Sequence, residues 1–462
     1  MWNIEKKFIV LDEKVDDKNE VESLLNLVFT PQRTRLGSYY LRENVNKVGR
    51  LCKVIKNDYG NIVGSIRYWP VYLGREKLIC LLLGPLAVHP ICQGEGIGAM
   101  LVLKTLSLAE KFGWERANFF ATDGMEQKDD WSFRRSKWFE AIKKECQNVK
   151  DNVGLLDMTA FAKCRIKGPK AEEFLDHLVA NKLPKKIGRV NLCHALNTKG
   201  GVHSEFTIMK EAEDSYYLVS AGAFQRLDHD WIQKWMPKDG SVQFENITNS
   251  VGVLVVAGPK ARELMQKVSK DDFSNENFKW LSSKKVDIGY APCTAIRVNF
   301  VGELGWELHH PLEYQNHIFD KLMEHGKDLG LKPFGIRAMN SLRVEKSYKL
   351  VGTELSIEYS PYESGLDRFI HPNKGNFIGL EALNKWREKG FQNKLVTMEI
   401  HNVTDADVLG NNPIYKDNKV VGRATGGDFG FRLNKSIAIG MVKPEIATTG
   451  QKLKIDILGK MH

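Results

Sequence analysis

Val298-Asn-Phe-Val-Gly-Glu-Leu-Gly-Trp-Glu-Leu308 alternates like a strand up to a Gly-Glu turn, then carries two carboxylates, Glu303 and Glu307, through a run that is otherwise apolar. An acid removed from water without a hydrogen-bond partner or counter-charge is costly, so each of these two requires one. A planar heterocycle with adjacent N–H donors is one such partner. A nearby Arg or a set of backbone N–H groups is the other, and the segment alone does not choose between them.

Working outward, strings on the N-terminal side repeat. Ile166-Lys-Gly-Pro-Lys-Ala-Glu-Glu-Phe-Leu-Asp-His-Leu178 and Val256-Ala-Gly-Pro-Lys-Ala-Arg-Glu-Leu-Met-Gln-Lys-Val268 both read as strand, Gly-Pro-Lys-Ala turn and amphipathic helix. The echo predicts a duplicated α+β unit. In the first copy the helix is predicted over Gly168–Ala180, with strands at His203–Met209 and Ser215–Val219 and a helix at Ala223–Trp235. In the second, a strand at Ile247–Val256 precedes a helix at Pro259–Lys270. A helix at Trp138–Asn148 leads in. After about Gly390 the chain turns strand-rich with Gly/Asn/Asp turns, as in a small β-barrel-like module.

The first 115 residues have a different character. A helix at Lys18–Phe29, strands at Arg50–Ile55, Ile62–Trp69 and Leu78–Val88, and hairpin chemistry in Lys56-Asn-Asp-Tyr-Gly-Asn-Ile62 are expected. Gln93-Gly94-Glu95-Gly96-Ile97-Gly98 then opens a helix from about Ala99 to Phe112. Backbone N–H groups at such a glycine turn attract phosphate oxygens. Only the loose form of the dinucleotide fingerprint is met, at Gly94, Gly96 and Ala99, and no P-loop lysine is present, so both nucleotide folds are disfavoured. Leu83-Gly-Pro-Leu-Ala-Val-His-Pro-Ile-Cys-Gln-Gly-Glu-Gly-Ile-Gly98 instead resembles the acetyl-CoA pyrophosphate loop of the GNAT N-acetyltransferases. That likeness implies acetyl-CoA contacts at Gln93, Gly94, Gly96, Ile97 and Gly98. The strand–helix pair that normally completes the cleft is not read after Arg116, so the domain is expected to be incomplete.

The bulk properties narrow the class. A chain of 462 residues exceeds one typical core. With 42% hydrophobic and 27% charged residues it is an ordinary globular composition. No apolar run approaches a membrane span, and the N-terminus does not read as a signal or transit peptide. The seven cysteines (Cys52, Cys80, Cys92, Cys146, Cys164, Cys193, Cys293) form no Cys-x-x-Cys pair, which argues against zinc and a disulfide framework and for a cytoplasmic setting. The net charge of +10 is spread among acids, without aromatic-basic stripes, and gives little support to nucleic-acid binding.

The segments Gly154–Leu178, Lys199–Ile208, Val251–Ala261, Ala295–Pro311, Ala338–Tyr348 and Phe377–Leu383 resemble the folate-binding half of dimethylglycine and sarcosine dehydrogenases, and more distantly the aminomethyltransferase T-protein of glycine cleavage. The resemblance runs from roughly Gly113 to Lys460. It implies binding of tetrahydrofolate and capture of a one-carbon unit. In those enzymes a flavin domain oxidises an N-methyl amine to an iminium that folate N5 attacks; no flavin-binding domain is read here. The resemblance therefore implies a separate flavin amine dehydrogenase or aminomethyl carrier protein as partner, and no FAD in this chain. Carried over by position, the catalytic acid falls on Glu205, after Gly200 and Gly201, and the pterin-holding acid on Glu307. Glu303, Phe300, Arg343 and Tyr348 join the candidate folate site, with Phe300 where the family often has tyrosine. Glu363 and Arg368 are candidates by location only. T-protein has paired aspartates where this chain has Ser204-Glu205. Each acid keeps a structural alternative, and Arg343 is as well suited to pairing with an acid such as Glu345. The expected architecture is α/β plus α+β multidomain: an incomplete GNAT-like domain (1–115), a folate-binding aminomethyltransferase-like domain (116–388) and a C-terminal β-barrel (389–462), truncated relative to relatives that continue through a final strand. The competing reading is an acetyl-CoA-dependent N-acetyltransferase with a folate-domain-like C-terminal region; a third is a folate-binding or scaffolding protein with both activities lost.

Overall fold

Each Gly-Pro-Lys-Ala string turns a strand into a helix at a glycine that no other residue could replace cheaply. Gly168 and Gly258 adopt φ of +119° and +140°. A Cβ on either would lie 2.4 Å from a backbone carbonyl oxygen, of Ser241 and Asn152 respectively. The Gly-Pro-Lys residues are consumed by this turn, so the helices start later than the periodicity suggested, at Ala171 and Ala261. The computed structural model describes residues 9–29, 42, 45–73, 78–92, 97, 101, 117–125 and 132–462. The chain divides into two units, Met1–Glu115 and Arg116–His462.

In the first unit, β1 (Ile9–Asp12), α1 (Lys18–Phe29), β2 (Lys53–Lys56), β3 (Ile62–Leu73) and β4 (Leu78–Val88) are described. The strands form one antiparallel sheet in the order β1-β2-β3-β4. The β2–β3 hairpin closes where its turn chemistry sits: Asn57 Oδ1 accepts from the backbone N–H of Tyr59 and Asn61, and Gly60 takes φ +82°. Alternation along β3 gives the sheet two faces. Val21, Leu24 and Leu25 of α1 cover Val54, Ile62 and Ala87 on one, while Ile55, Val63 and Ile66 pack with Ile97 and Leu101 on the other.

The second unit begins with α2 (Phe139–Asp151) and β5 (Val153–Asp157). The first copy of the repeat follows: β6 (Ala162–Lys167), α3 (Ala171–Leu178), β7 (Val190–Leu196), β8 (Val202–Ala212), β9 (Ser215–Ser220), α4 (Gln225–Trp235) and β10 (Gln243–Asn246). The second copy is β11 (Val251–Ala257), α5 (Ala261–Val268), β12 (Ser283–Ile288), β13 (Ala291–Ile296), β14 (Gly305–Pro311) and α6 (Gln315–Gly326), followed by β15 (Leu331–Pro333) and α7 (Ile336–Val344). The sheet orders are β10-β6-β9-β8-β7 and β12-β13-β14-β11-β5-β15. Read from β6 and from β11, four strands run in the same topological sequence, so the sequence echo is a duplicated topology. Helices α3 and α5 bury matching positions, Ala171/Phe174/Leu175/Leu178 and Ala261/Leu264/Met265/Val268. That i, i+3, i+4, i+7 spacing puts one apolar stripe on the sheet, at about 1.5–3 kcal/mol for each large side chain fully buried. Fully buried Lys163 joins the two copies, donating to the carbonyls of Thr159 (2.7 Å) and Val251 (2.6 Å), and burial pulls its ammonium down to about 8.

After α8 (Leu380–Lys389), strands β16 (Lys394–Ile400), β17 (Pro413–Lys416), β18 (Lys419–Gly430), β19 (Lys435–Val442), β20 (Lys454–Ile457) and β21 (Lys460–Met461) form a sheet ordered β16-β19-β18-β17-β20-β21. Phe429 near the end of β18 and Phe431 just beyond it meet Phe139 of α2 with tilted rings. Six cysteines (Cys52, Cys92, Cys146, Cys164, Cys193, Cys293) are buried free thiols. No helix among the described residues is long and apolar enough to cross a membrane.

Candidate functional site

The segment that opened the sequence reading departs from it in one respect. Val298–Val301 is not a strand. Asn299 accepts from the N–H groups of Val301 (3.0 Å) and Gly302 (3.1 Å) and donates to the carbonyl of Glu303 (2.8 Å), so its side chain competes with sheet pairing and ties a turn. The strand starts at Gly305.

Along β14 alternation separates two environments. Trp306 and Leu308 enter the core with Leu264, Met265 and Phe273, while Glu307 and His309 share the opposite face. Glu307 sits between Val255 and Ile296 on the flanking strands and is 7% exposed. His309 Nε2 lies 3.3 Å from Glu307 Oε2, and Tyr217 Oη lies 2.9 Å from His309 Nδ1. Burial holds the Tyr217 phenol well above its ordinary value, against the pull of Arg165. A carboxylate can only accept, so the ring proton belongs on Nε2 facing Glu307, and Nδ1 accepts from the Tyr217 phenol. Glu307 Oε1 has no hydrogen-bond partner among the described residues.

Glu205, on β8, faces His194 of β7 directly across the ladder. The Nε2–Oε2 distance is 2.9 Å; His194 is fully buried, and its Nδ1 has no partner. The Glu205 side chain is 22% exposed. Burial lowers the half-buried Lys349 ammonium below the ordinary lysine range, although Glu205, Glu354 and Asp367 lie close enough to pull it the other way. The adjoining Ser204 faces inward beside Asp228 of α4, whose carboxyl burial pushes up to about 6 against the nearby Ser204 and Ser220 hydroxyls.

The remaining candidates divide. Phe300 and Tyr348 stack loosely, with centroids 6.0 Å apart, and Tyr348 is 39% exposed. Glu303 has an internal counter-charge: Arg432 bridges it to Glu345 and donates to the carbonyls of Val301 (3.3 Å) and Leu342 (2.6 Å). Arg343 is buried, bonded to Glu354 (2.8 Å) and the carbonyl of Tyr348 (2.9 Å). Glu363 accepts backbone N–H groups of Ser360, Gln392 and Asn393, and Arg368 is exposed. Gln93, Gly94, Gly96 and Gly98 lie outside the described residues; Ile97 is buried against Gly64. No cluster of His, Cys, Asp or Glu among the described residues is arranged to hold a metal.

Sequence reasoning missed His194, His309, Tyr217 and Lys349. His309 had a signal, two residues after Glu307 and so on its face of a strand. His194 required the hairpin register, which only the strand pairing supplies. Behind His309 lies a cavity of about 480 Å³ lined by Arg165, Glu211, Tyr217, Lys285, Asp287 and His309, among others.

Residues 102–374 match the GCVT N-terminal domain, more than half of the chain. The chain belongs to the glycine cleavage T-protein family. Residues 393–462 match the glycine cleavage T-protein C-terminal barrel domain, and residues 18–127 match the acetyltransferase (GNAT) family. The chain is 37% identical to mitochondrial dimethylglycine dehydrogenase of Homo sapiens over 76% of its own length and 40% of that protein's. It is 33% identical to an aminomethyltransferase of Thermoanaerobacter sp. (strain X514), over 70% of this chain and 87% of the relative. The crystal structure of the glycine cleavage system aminomethyltransferase T from Bartonella henselae shares its fold, with a TM-score of 0.62 at 21% identity over 70% of this chain and 86% of that one. The chain thus spans about two fifths of the dehydrogenase it resembles.

Proposed function

We propose that the second unit binds tetrahydrofolate and loads a one-carbon unit onto it. The unit would come from an iminium that a separate flavin amine dehydrogenase makes from dimethylglycine or sarcosine, or from an aminomethyl group presented by a carrier protein. The observation that carries this reading is Glu307: a buried carboxylate on β14, one oxygen met by His309 and the other left for an external donor. A reduced pterin offers adjacent N–H groups of that kind, and a charge-assisted pair is worth about 1.5–3 kcal/mol. In the transfer, a nitrogen of tetrahydrofolate attacks the iminium carbon and loses its proton as the new C–N bond forms, and the bond from that carbon to the donor nitrogen then breaks, the released amine or ammonia taking up a proton as it leaves. Glu205, partly exposed and beside the His194 imidazole, is the acceptor within this chain. Phe300 and Tyr348 offer apolar faces for the ring system. The family relationship supports the reaction class; the amine donor and the absence of flavin in this chain are parts of the proposal. Calorimetric titration of the full chain with tetrahydrofolate tests it: saturable binding lost in Glu307→Ala supports the reading, and absent binding removes it. Colourless protein that does not oxidise dimethylglycine or sarcosine is expected, and stoichiometric flavin reduced by either amine would overturn the partner requirement.

A second reading stands on the GNAT family match over residues 18–127: the first unit binds acetyl-CoA. Weak or no acetyl transfer is expected; robust turnover on an amine panel, abolished by Gly96→Asp, would establish a complete acyl-CoA cleft.

A further inference from the structure

We infer that Tyr217 and His309 form a positioning pair that fixes the orientation of Glu307 and reserves its Oε1 for the ligand. This rests on the reading of Glu307 as a ligand-holding acid. The three residues come from two copies of the repeat: Tyr217 from β9, His309 and Glu307 from β14. Both rings are almost fully buried, and no other hydrogen bond of the His309 ring is found among the described residues.

A buried imidazole can hold either tautomer, and only one serves here. Glu307 Oε2 can only accept, so the proton of the neutral ring lies on Nε2 and points at it, and Nδ1 accepts from the Tyr217 phenol. With the opposite tautomer two lone pairs would face each other at 3.3 Å. Tyr217 thus acts on Glu307 at one remove. Its effect is orientational: a glutamate on a strand has freely turning terminal torsions, and a donor fixed on one oxygen removes that freedom before any ligand arrives. Arg165 does not take over this task, because its guanidinium is engaged by Glu211 at 2.7 and 3.1 Å.

Tyr217 and His309 both line the rear cavity, although their rings stay almost fully buried. A merely space-filling aromatic cluster would not need either hydrogen bond. A carboxylate-orienting role requires both, in this order and with this tautomer.

Two measurements on the full chain decide the matter. The first is nitrogen-15 NMR of the histidine rings in ligand-free protein, which reports tautomers directly: a neutral Nε2–H form for His309, lost or mixed in Tyr217→Phe, is expected. The second is the tetrahydrofolate dissociation constant, expected to rise about five- to tenfold in His309→Ala and about two- to fivefold in Tyr217→Phe. His309→Gln, whose amide N–H can reach Glu307 as Nε2–H does, is expected to return to within about twofold of wild type. Wild-type affinity in His309→Ala while Glu307→Ala loses binding would overturn the positioning role and leave the folate reading standing. Unchanged affinity in Glu307→Ala would remove the folate reading instead. The NMR arm still judges the pair in that event, and an Nδ1–H tautomer in wild type defeats it outright. Should His309→Ala fold poorly, Tyr217→Phe and His309→Gln carry the same decision, with equal losses in both counting against the pair.

Discussion

Two carboxylates in the second unit each give one oxygen to an imidazole Nε2, yet the two arrangements are built for different work. The Glu205–His194 pair bridges two strands, has a partly exposed acid, and leaves His194 Nδ1 without a partner, with the Lys349 ammonium in its field. The Glu307–His309 pair lies along one strand, is buried, and is fixed from behind by Tyr217. A proton can move onto an imidazole nitrogen that has no protein partner without breaking a hydrogen bond there; at a nitrogen held by a phenol it cannot. The loose pair therefore suits proton transfer and the fixed pair suits recognition.

The largest effect expected from this contrast is kinetic. Glu205→Gln should slow transfer of a partner-generated one-carbon unit by about 10²–10⁴-fold, while tetrahydrofolate affinity stays within about twofold. Single-turnover kinetics alongside calorimetry separate the two; a loss of affinity that matches the loss of rate would erase the division of labour. The next is structural. Ser204→Asp, which restores the paired acids that the T-protein resemblance implies, would set a second carboxylate beside buried Asp228. Stability in urea should fall by about 2–4 kcal/mol at neutral pH, since an uncompensated buried charge is costly. Unchanged stability would show that Asp228 is not the reason this position is uncharged. On the recognition side, Glu307→Ala should weaken tetrahydrofolate binding by roughly ten- to a hundredfold, at about 1.4 kcal/mol per decade. Equal affinity, with circular dichroism confirming the fold, would return Glu307 to a structural role.

Much of the fold was legible because local patterns and global architecture agree. The hairpin at Asn57–Asn61, helix α1 and strand β4 follow from turn chemistry and apolar spacing alone, and the paired Gly-Pro-Lys-Ala strings expose the duplication. The misreadings come from side chains that compete with the backbone, as Asn299 does, and from turns that consume helical-looking residues, as at Gly168. At the candidate site, both acids could be named from sequence, but what satisfies them could not. Glu303 and Arg432 are 129 positions apart and Tyr217 and His309 are 92 apart, and only tertiary pairing brings such partners together. Hence the sequence could not tell that Glu303 and Arg343 have internal counter-charges while Glu307 keeps an oxygen free.

The smallest effect lies beneath the loose pair, in Asp228. Its carboxyl titrates near 6 in the folded chain, above its ordinary value of 3.8, because burial penalises the anion. The native state therefore retains a proton that the unfolded chain releases as the pH rises from about 4 to 6. Linkage then fixes the sign: the stability that the neutral carboxyl contributes is complete below the unfolded value and is lost as pH rises through about 6. Asp228→Asn cannot ionise, so its unfolding free energy from urea titrations should match wild type near pH 4 and exceed it above pH 6, by about 1–2 kcal/mol. Because Asp228 lies against Ser204, the residue before Glu205 on β8, the same variant also tests whether the ionised Asp228 perturbs the neighbouring acid. If the fixed–loose contrast is right, Asp228→Asn shifts the pH profile of transfer and leaves tetrahydrofolate affinity alone. A change in affinity without a change in the profile would place Asp228 with the recognition side instead.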